Sequence, residues 1–382
     1  MDRICIIAAK RTPQGKFLGG LEKYSAIELA IFAAKETLKE VDVNDVDQVI
    51  LGNVIMAGQG MNPARQIAVG AGIPIDKPAF TVNMMCASGM QAVILAAQAI
   101  KTGVADVILC GGTESMSNAP FLLDRVREGY KLGDGVLIDS LLSDGLIDTF
   151  EKEHMGITAE RIAEKYKITR KEQDEFAFLS HQRYFKALKK KVYDDELVEV
   201  GGLINDEHPR EDTTTGKLGT LKPAFSDTGT VTAGNASGIN DGAAMLLVCS
   251  EKFALKKGIN VLAVLRTSAS IGCDWRFMGL GPVYATRKLC KVNNLKINDF
   301  DTIELNEAFA SQALACIREL EIDIEKVNPD GGAIALGHPI GASGARIIVH
   351  LVLRIKNGRS KRALASLCVG GGMGSSIVLE NF

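Results

Sequence analysis

Val43-Asn-Asp-Val-Asp-Gln-Val-Ile-Leu51 aligns without gaps on Ile297-Asn-Asp-Phe-Asp-Thr-Ile-Glu-Leu305, 254 positions further along the chain. Arg11-Thr12 returns as Arg266-Thr267, Ala87-Ser88-Gly89 as Ala342-Ser343-Gly344, and Ile100-Lys101-x-Gly103 as Ile355-Lys356-x-Gly358, each 255 positions on. Leu109-Cys110-x-Gly112 returns as Leu367-Cys368-x-Gly370 at 258, after a three-residue insertion. Chance supplies any one of these matches, but all of them in register indicate a duplicated unit. A chain of 382 residues has room for two such units and more. We therefore expect two similar halves, 1–117 and 246–382, separated by an unrepeated insert, 118–245.

Each half reads as strands alternating with helices, which implies an α/β fold with helices on both faces of a parallel or mixed sheet. Arg3 to Ala9 reads as a strand, and Ser25-x-x-Glu28 opens a helix with a capping box, followed by Ile27, Ile31, Ala34, Leu38 and Val41. Val49-Ile50-Leu51 and Pro78 to Val82 read as strands, Gln66 to Gly70 as a helix, and Val104 to Cys110 as a strand ending at Gly111-Gly112. Between them, Asn83 to Gly103 is small or aliphatic all round, the mark of a buried central helix. Cys86 stands at its mouth, where unpaired N–H groups and the helix dipole favour thiolate. By the repeat, Cys86 and Gly341 occupy equivalent helix mouths and Cys110 and Cys368 equivalent strand ends, so one cysteine of each pair is expected to work. In the insert, Thr169-x-x-Glu172 caps a helix running to about Lys191, and Gly229 to Gly238 reads as a ligand-facing loop.

Charge argues against a nucleic-acid partner: 44 basic residues face 46 acidic ones, for a net −2. No apolar run approaches the roughly 20 residues that span a bilayer. Eight cysteines without a CxxC pair, and no secretory, transit, peroxisomal or lipidation signal, point to reduced thiols in a cytoplasm.

Four segments carry residues suited to chemistry: Cys86-Ala-Ser-Gly89, Asn306-Glu-Ala-Phe309, Gly331 to Gly344 with His338, and Cys368-Val-Gly-Gly-Gly-Met-Gly374. His338 lies in a glycine-rich loop rather than on a periodic apolar face, and three glycines after Cys368 let backbone N–H groups approach a ligand. Taken singly, each is as well explained by structure as by catalysis. Together, and with His154-Met-Gly156, Lys222-Pro-Ala-Phe225 and Ala233 to Gly238, they resemble the thiolases over essentially the whole chain, in the short-chain acetyl-CoA acetyltransferase type.

The resemblance implies two duplicated βαβαβαββ halves in an αβαβα core with an inserted loop domain. It implies that Cys86 takes an acetyl group from acetyl-CoA, that His338 deprotonates Cys86, and that Cys368 acts as acid and base in forming acetoacetyl-CoA and CoA. One oxyanion hole would come from His338 and a water on Asn306, the other from the N–H groups of Cys86 and Gly370. CoA would meet His154, Met155, Ala224, Phe225 and Ser237, with Met278 and Phe309 at the acyl end, and Arg210 or Lys222 would answer the 3′-phosphate. No metal or cofactor is implied, and a zinc site on Cys86, His338 and Cys368 lacks zinc-like spacing. The resemblance further implies homodimers paired into homotetramers through a loop near 121–135. Two departures stand out: Ala87 after the nucleophile, and Cys273-Asp-Trp-Arg-Phe-Met278, which brings the only tryptophan, Trp275, close to the expected CoA tunnel. A degradative 3-ketoacyl-CoA thiolase, a β-ketoacyl synthase and an inactive CoA or lipid carrier are the rival readings; the second lacks a place for Cys368.

Overall fold

Alternation decides which face of each strand is buried against what. In the computed structural model, which describes residues 3–382, the first half runs β1 (Ile4–Arg11), α1 (Ala26–Thr37), β2 (Gln48–Gly52), α2 (Pro63–Gly70), β3 (Ala79–Val82), α3 (Ser88–Lys101) and β4 (Val107–Ser115). The insert contributes α4 (Met155–Lys165) and α5 (Arg170–Lys189), followed by β5 (Asn240–Ser250). The second half runs β6 (Ala263–Gly272), α6 (Gly281–Asn293), β7 (Thr302–Leu305), α7 (Ala310–Glu319), α8 (Ile340–Lys356), β8 (Arg362–Val369) and β9 (Met373–Glu380).

The strands form one sheet in the order β7-β8-β9-β6-β1-β5-β4-β2-β3. The order β1-β5-β4-β2 repeats as β6-β9-β8-β7, with the same antiparallel, antiparallel, parallel sequence of pairings. The halves join where Ile4–Ile6 of β1 pair with Ala263–Leu265 of β6. Ile6, Ile50, Ile108, Leu246, Leu367 and Leu379 face a shared core around α3 and α8, while their neighbours Cys5, Leu51, Leu109 and Leu247 face α1 and α2 on the other side. In the second half, Ile303, Leu364 and Val378 face α6 and α7. The two halves of this continuous sheet thus pack on opposite sides of α3 and α8, giving five layers, helix–sheet–helix–sheet–helix.

The two central helices touch at the glycines that the repeat makes equivalent. A methyl at Gly89 would lie 2.9 Å from Ala345 N, and one at Gly344 would lie 2.7 Å from Met90 N. Close approach of backbone to backbone fixes the pseudo-dyad and brings the two helix mouths to one end of the sheet.

Three expectations need correction. The strand β5 crosses the boundary set at 245/246: it pairs with β1 and β4, so residues 240–250 complete the first half's sheet. The strand β4 does not end at Gly111-Gly112 but runs on to Ser115, because α8 begins directly over it. A Cβ on Gly112 would sit 2.1 Å from Gly341 O, and glycine leaves that room. Cys110 is thus an interior strand residue in the core between the helices, not a strand end. On α1, which ends at Thr37, the buried stripe is Leu29, Ala30, Ala33 and Ala34, with Ile27 and Ile31 only at its margin. Both capping boxes form as expected, Ser25 with Glu28 and Thr169 with Glu172. Among the described residues no helix is long and apolar enough to cross a membrane.

Candidate active site

Strand β3 ends at Val82, and the chain must turn sharply to start α3. Asn83 makes that turn by accepting from Met85 N at 2.9 Å, and Met85 takes a left-handed φ of 47°, a strained conformation for a residue with a side chain. The turn aims Cys86 into a cavity of about 480 Å³ at the end of the sheet where the two helix mouths meet. His338, Cys368 and Gly370 line the same cavity.

The backbone N–H groups of Gly370 and of Cys86 itself lie near the sulfur and favour its thiolate. The expectation of a ready thiolate fails here. Enclosure of the sulfur outweighs those two donors and pushes the thiol up to about 11, and the buried Glu114 adds in the same direction. The residue keeps some surface and lines the cavity. Cys368 is wholly buried, and burial together with the nearby Cys86 sulfur drives its thiol well above the ordinary range. Alkylation of Cys86 by iodoacetamide is therefore expected to keep rising about tenfold per pH unit from pH 7 to 10, since only the thiolate reacts. A plateau near pH 7 would mean a preformed thiolate.

Two residues set the state of His338. Asn240, at the start of β5, accepts from His338 N at 3.0 Å and fixes the loop. Ser343 donates its hydroxyl to Pro339 O at 2.9 Å, so its oxygen accepts from His338 Nδ1, 2.6 Å away. The proton is thereby assigned to Nδ1, and Nε2 carries the lone pair. Burial, reinforced by the Arg346 guanidinium, lowers the imidazole to about 3, so it rests neutral. Asn306, one residue beyond β7, places Nδ2 3.5 Å from Nε2. The arrangement can accept a proton from a thiol without a resting ion pair and can stabilise oxyanions from two sides.

Beneath these groups lies a carboxylate that spacing alone did not reveal. Glu114 is fully buried and accepts from Val54 N, Ile55 N, Asn53 Nδ2 and Gly341 N at 2.7–3.2 Å, tying the mouth of α8 to the first half. Burial raises it to about 7 against those four donors. Glu307 plays a similar part for the His338 loop, accepting from Ser180 Oγ, Asn328 Nδ2 and Ile334 N. Glu307 was visible within Asn306-Glu-Ala-Phe309; Ser343 was visible five residues after His338 within Ala342-Ser-Gly344.

The insert forms the opposite wall. His154 caps α4 by accepting from Gly156 N at 3.0 Å and stacks on Phe225 at 4.6 Å; burial lowers its pKa, so it is a flat neutral surface. Met155, Ala224, Ser237, Arg210, Met278 and Phe309 also line the cavity, as do Ala236 and Gly238 of the 229–238 loop. Lys222 does not: it is exposed and outside the lining. His208 and Lys16 line the cavity and were not anticipated. Trp275 is not part of the wall. Its Nε1 donates to Glu151 Oε1 at 3.2 Å and its ring packs on Phe150 at 4.8 Å, clamping the insert to the second half.

With this geometry established, comparison with known proteins is direct. Residues 4–252 match the family described as "Thiolase, N-terminal domain" and residues 259–381 match "Thiolase, C-terminal domain". The chain belongs to the thiolases. The gap between the two matched regions falls after β5, in agreement with the corrected division of the sheet. This thiolase is 47% identical to the acetyl-CoA acetyltransferase of Chromobacterium violaceum over 99% of both chains. It is 47% identical to a probable acetyl-CoA acyltransferase of Staphylococcus epidermidis over 100% of both. Its structure superposes on the crystal structure of the Bacillus anthracis acetyl-CoA acetyltransferase with a TM-score of 0.97 at 42% identity, covering 100% of this chain and 99% of that one. The human mitochondrial 3-ketoacyl-CoA thiolase in complex with CoA gives the same TM-score and identity, with 100% and 98% covered. The thiolase is an acyltransferase, and its relatives are named acetyl-CoA acetyltransferase, acetyl-CoA acyltransferase and 3-ketoacyl-CoA thiolase.

Proposed function

We propose that this thiolase condenses two acetyl-CoA into acetoacetyl-CoA and CoA, reversibly, through an acetyl thioester on Cys86. The observation that carries the reading is the convergence of Cys86, His338, Cys368 and the Gly370 N–H on one cavity whose inner end is filled by Met155, Met278 and Phe309. In the first half-reaction Cys86 passes its proton to His338 Nε2 as its sulfur attacks the acetyl carbonyl; the departing CoA sulfur takes the Cys368 proton. In the second, the Cys368 thiolate removes a proton from the methyl of another acetyl-CoA, and the enolate attacks the acetyl carbon. Cys86 then leaves and recovers its proton from His338. Both thiols and the imidazole end as they began, and no step draws a proton from solvent. Because thiol and imidazole both rest neutral, the proton transfer accompanies C–S bond formation rather than preceding it.

Support for a short acyl chain comes from the buried side chains of Met155, Met278 and Phe309 beside Cys368. The alternative is a degradative 3-ketoacyl-CoA thiolase: the chain is 42% identical to a protein of that name and 42% identical to an acetyl-CoA acetyltransferase, so identity does not choose between them and chain length does. Intact mass after brief exposure to acetyl-CoA is expected to rise by one acetyl group, about 42 Da, on wild type and not on Cys86→Ala. In thiolysis, kcat/KM is expected to fall at least about tenfold from acetoacetyl-CoA to 3-ketohexanoyl-CoA. An unmodified wild type would sink the covalent reading; equal rates for both substrates would favour the degradative one. Assembly as a homotetramer is supported by the hairpin of Phe121–Leu123 with Leu137–Asp139, which holds Leu132 98% exposed. A reducing cytoplasm is supported by eight cysteines that are all free.

A further inference from the structure

The central helix α8 is buried along nearly its whole length, yet one face of it is polar: Ser343, Arg346, His350 and Arg354 follow at spacings of three and four. Ser343 holds His338. One turn on, Arg346 is 2% exposed, and its Nη1 donates to Glu304 Oε2 at 3.1 Å, in an ion pair that reaches neither solvent nor the cavity lining. The pair is only half satisfied. Arg346 Nε and Nη2 find no acceptor in the protein, and Glu304 Oε1 finds no donor. Nor does Asn306 Oδ1. Glu304 lies in β7, and Asn306 just beyond it still donates its N–H to Ser366 O of β8, so the two share one face of the sheet, about 7 Å apart along the chain. Two unused donors and two unused acceptors are thus buried on Arg346, its ion-pair partner Glu304 and Asn306, the residue that reaches His338, a complement that one or two internal waters would satisfy.

We propose that Arg346 and Glu304 are positioning residues: through an internal water they hold the Asn306 amide with Oδ1 turned inward and Nδ2 turned toward His338 Nε2. This rests on the acetyl-transfer reading for what Nδ2 then serves, the developing oxyanion. A half-satisfied ion pair is a poor stability device, since apolar residues of like volume commonly replace such pairs without loss. Its value lies in orientation, because an amide free to flip would present an oxygen to a developing negative charge. The Arg346 charge also reinforces the neutral state of His338.

The test is the double variant Arg346→Met/Glu304→Leu, which removes both charges together and should fold with a wild-type melting curve. Its kcat for condensation is expected to fall roughly 10- to 100-fold with KM for acetyl-CoA within about twofold, the signature of misplaced reacting groups rather than lost binding. Wild-type kcat in a folded double variant would overturn the proposal, as would kcat and KM worsening together. A crystal structure of the wild type at high resolution reads the same point without activity: ordered water joining Arg346 to Asn306 Oδ1 is expected, and an amide with Nδ2 turned toward Arg346 would refute it. If wild type forms no acetyl adduct, the acetyl-transfer reading fails, while the crystallographic result still decides the geometry.

Discussion

Cys368→Ser is expected to become acetylated on Cys86 yet to make almost no acetoacetyl-CoA. The substitution keeps shape and removes a group that burial and the neighbouring Cys86 sulfur already hold well above its ordinary pKa. A serine hydroxyl is a far weaker acid still, so it cannot supply the base that takes a methyl proton, and condensation should drop by about 10³-fold. Acetylation should continue more slowly, because CoA can leave as a thiolate without a proton donor. Cys86→Ala should abolish both. Intact mass and steady-state condensation, measured on the same preparations, separate the two half-reactions. An adduct missing from a folded Cys368→Ser, or condensation near the wild-type rate, would remove the division of labour between the two cysteines. The pairing also bears on the duplication. Cys110 is the counterpart of Cys368, but it sits within β4 in the core between the helices and far from any opening. The repeat predicts one working and one structural cysteine in the pair; of the two only Cys368 lines the cavity, and Cys110 is not at the strand end where the repeat placed it.

Sequence carried most of the architecture because the duplication left its marks in short, rigid places: the helix mouths, the strand ends and the 254-residue echo around Val43 and Ile297. The division into halves slipped where no echo exists. Ala243-Ala-Met-Leu-Leu-Val-Cys-Ser250 reads as a buried strand from its apolar run, but nothing local says which sheet will receive it; only its pairing with β1 and β4 does. The site was legible as a set of segments, through their glycines and through resemblance, and less so as chemistry. Helix mouth and N–H groups suggest a thiolate at Cys86, but enclosure is a property of the whole fold and reverses the sign. Lys222 was a candidate by charge alone, and an exposed lysine outside the lining shows how little charge says about place. Arg11 is the clearest illegible residue. It matches Arg266 in the repeat, yet Arg266 is exposed and Arg11 is buried among carboxylates nearly 200 positions away.

That buried cluster carries the largest expected effect on stability. Arg11 Nε donates to Glu196 Oε1 at 2.7 Å, and its two terminal nitrogens donate to both oxygens of Asp206 at 2.6 and 3.0 Å. Glu196 and Asp206 belong to the insert and Arg11 to β1, so the guanidinium fastens the insert to the sheet. On the far side His350 of α8 meets Glu196 Oε2 at 3.0 Å and Asp330 Oδ2 at 3.2 Å. Arg11→Met would leave two carboxylates buried against the sheet without their partner, and is expected to cost about 3–5 kcal/mol. The pH dependence follows from His350 and Glu196, and Asp330, which burial raises but His350 and Arg354 bring below its ordinary value, acts in the same sense as Glu196. Burial lowers His350, but Glu196 and Asp330 outweigh it and hold the imidazolium up to about 9. Against an unfolded value of about 6.5, its contribution is complete below that pH and is lost as pH rises through about 9. Burial raises Glu196, but Arg11 and His350 outweigh it and bring the carboxyl down to about 2. Its contribution is complete above an unfolded value of about 4.3 and is lost as pH falls through about 2. Stability from this cluster should therefore be greatest between roughly pH 4.5 and 6.5 and decline on the alkaline side. Thermal midpoints of wild type and His350→Gln across pH 5–10 check it: the variant should start lower and lose the decline between pH 7 and 9. If His350→Gln keeps the same alkaline slope as wild type, the imidazolium is not what binds α8 to the insert, and the slope must be sought among the thiols and lysines.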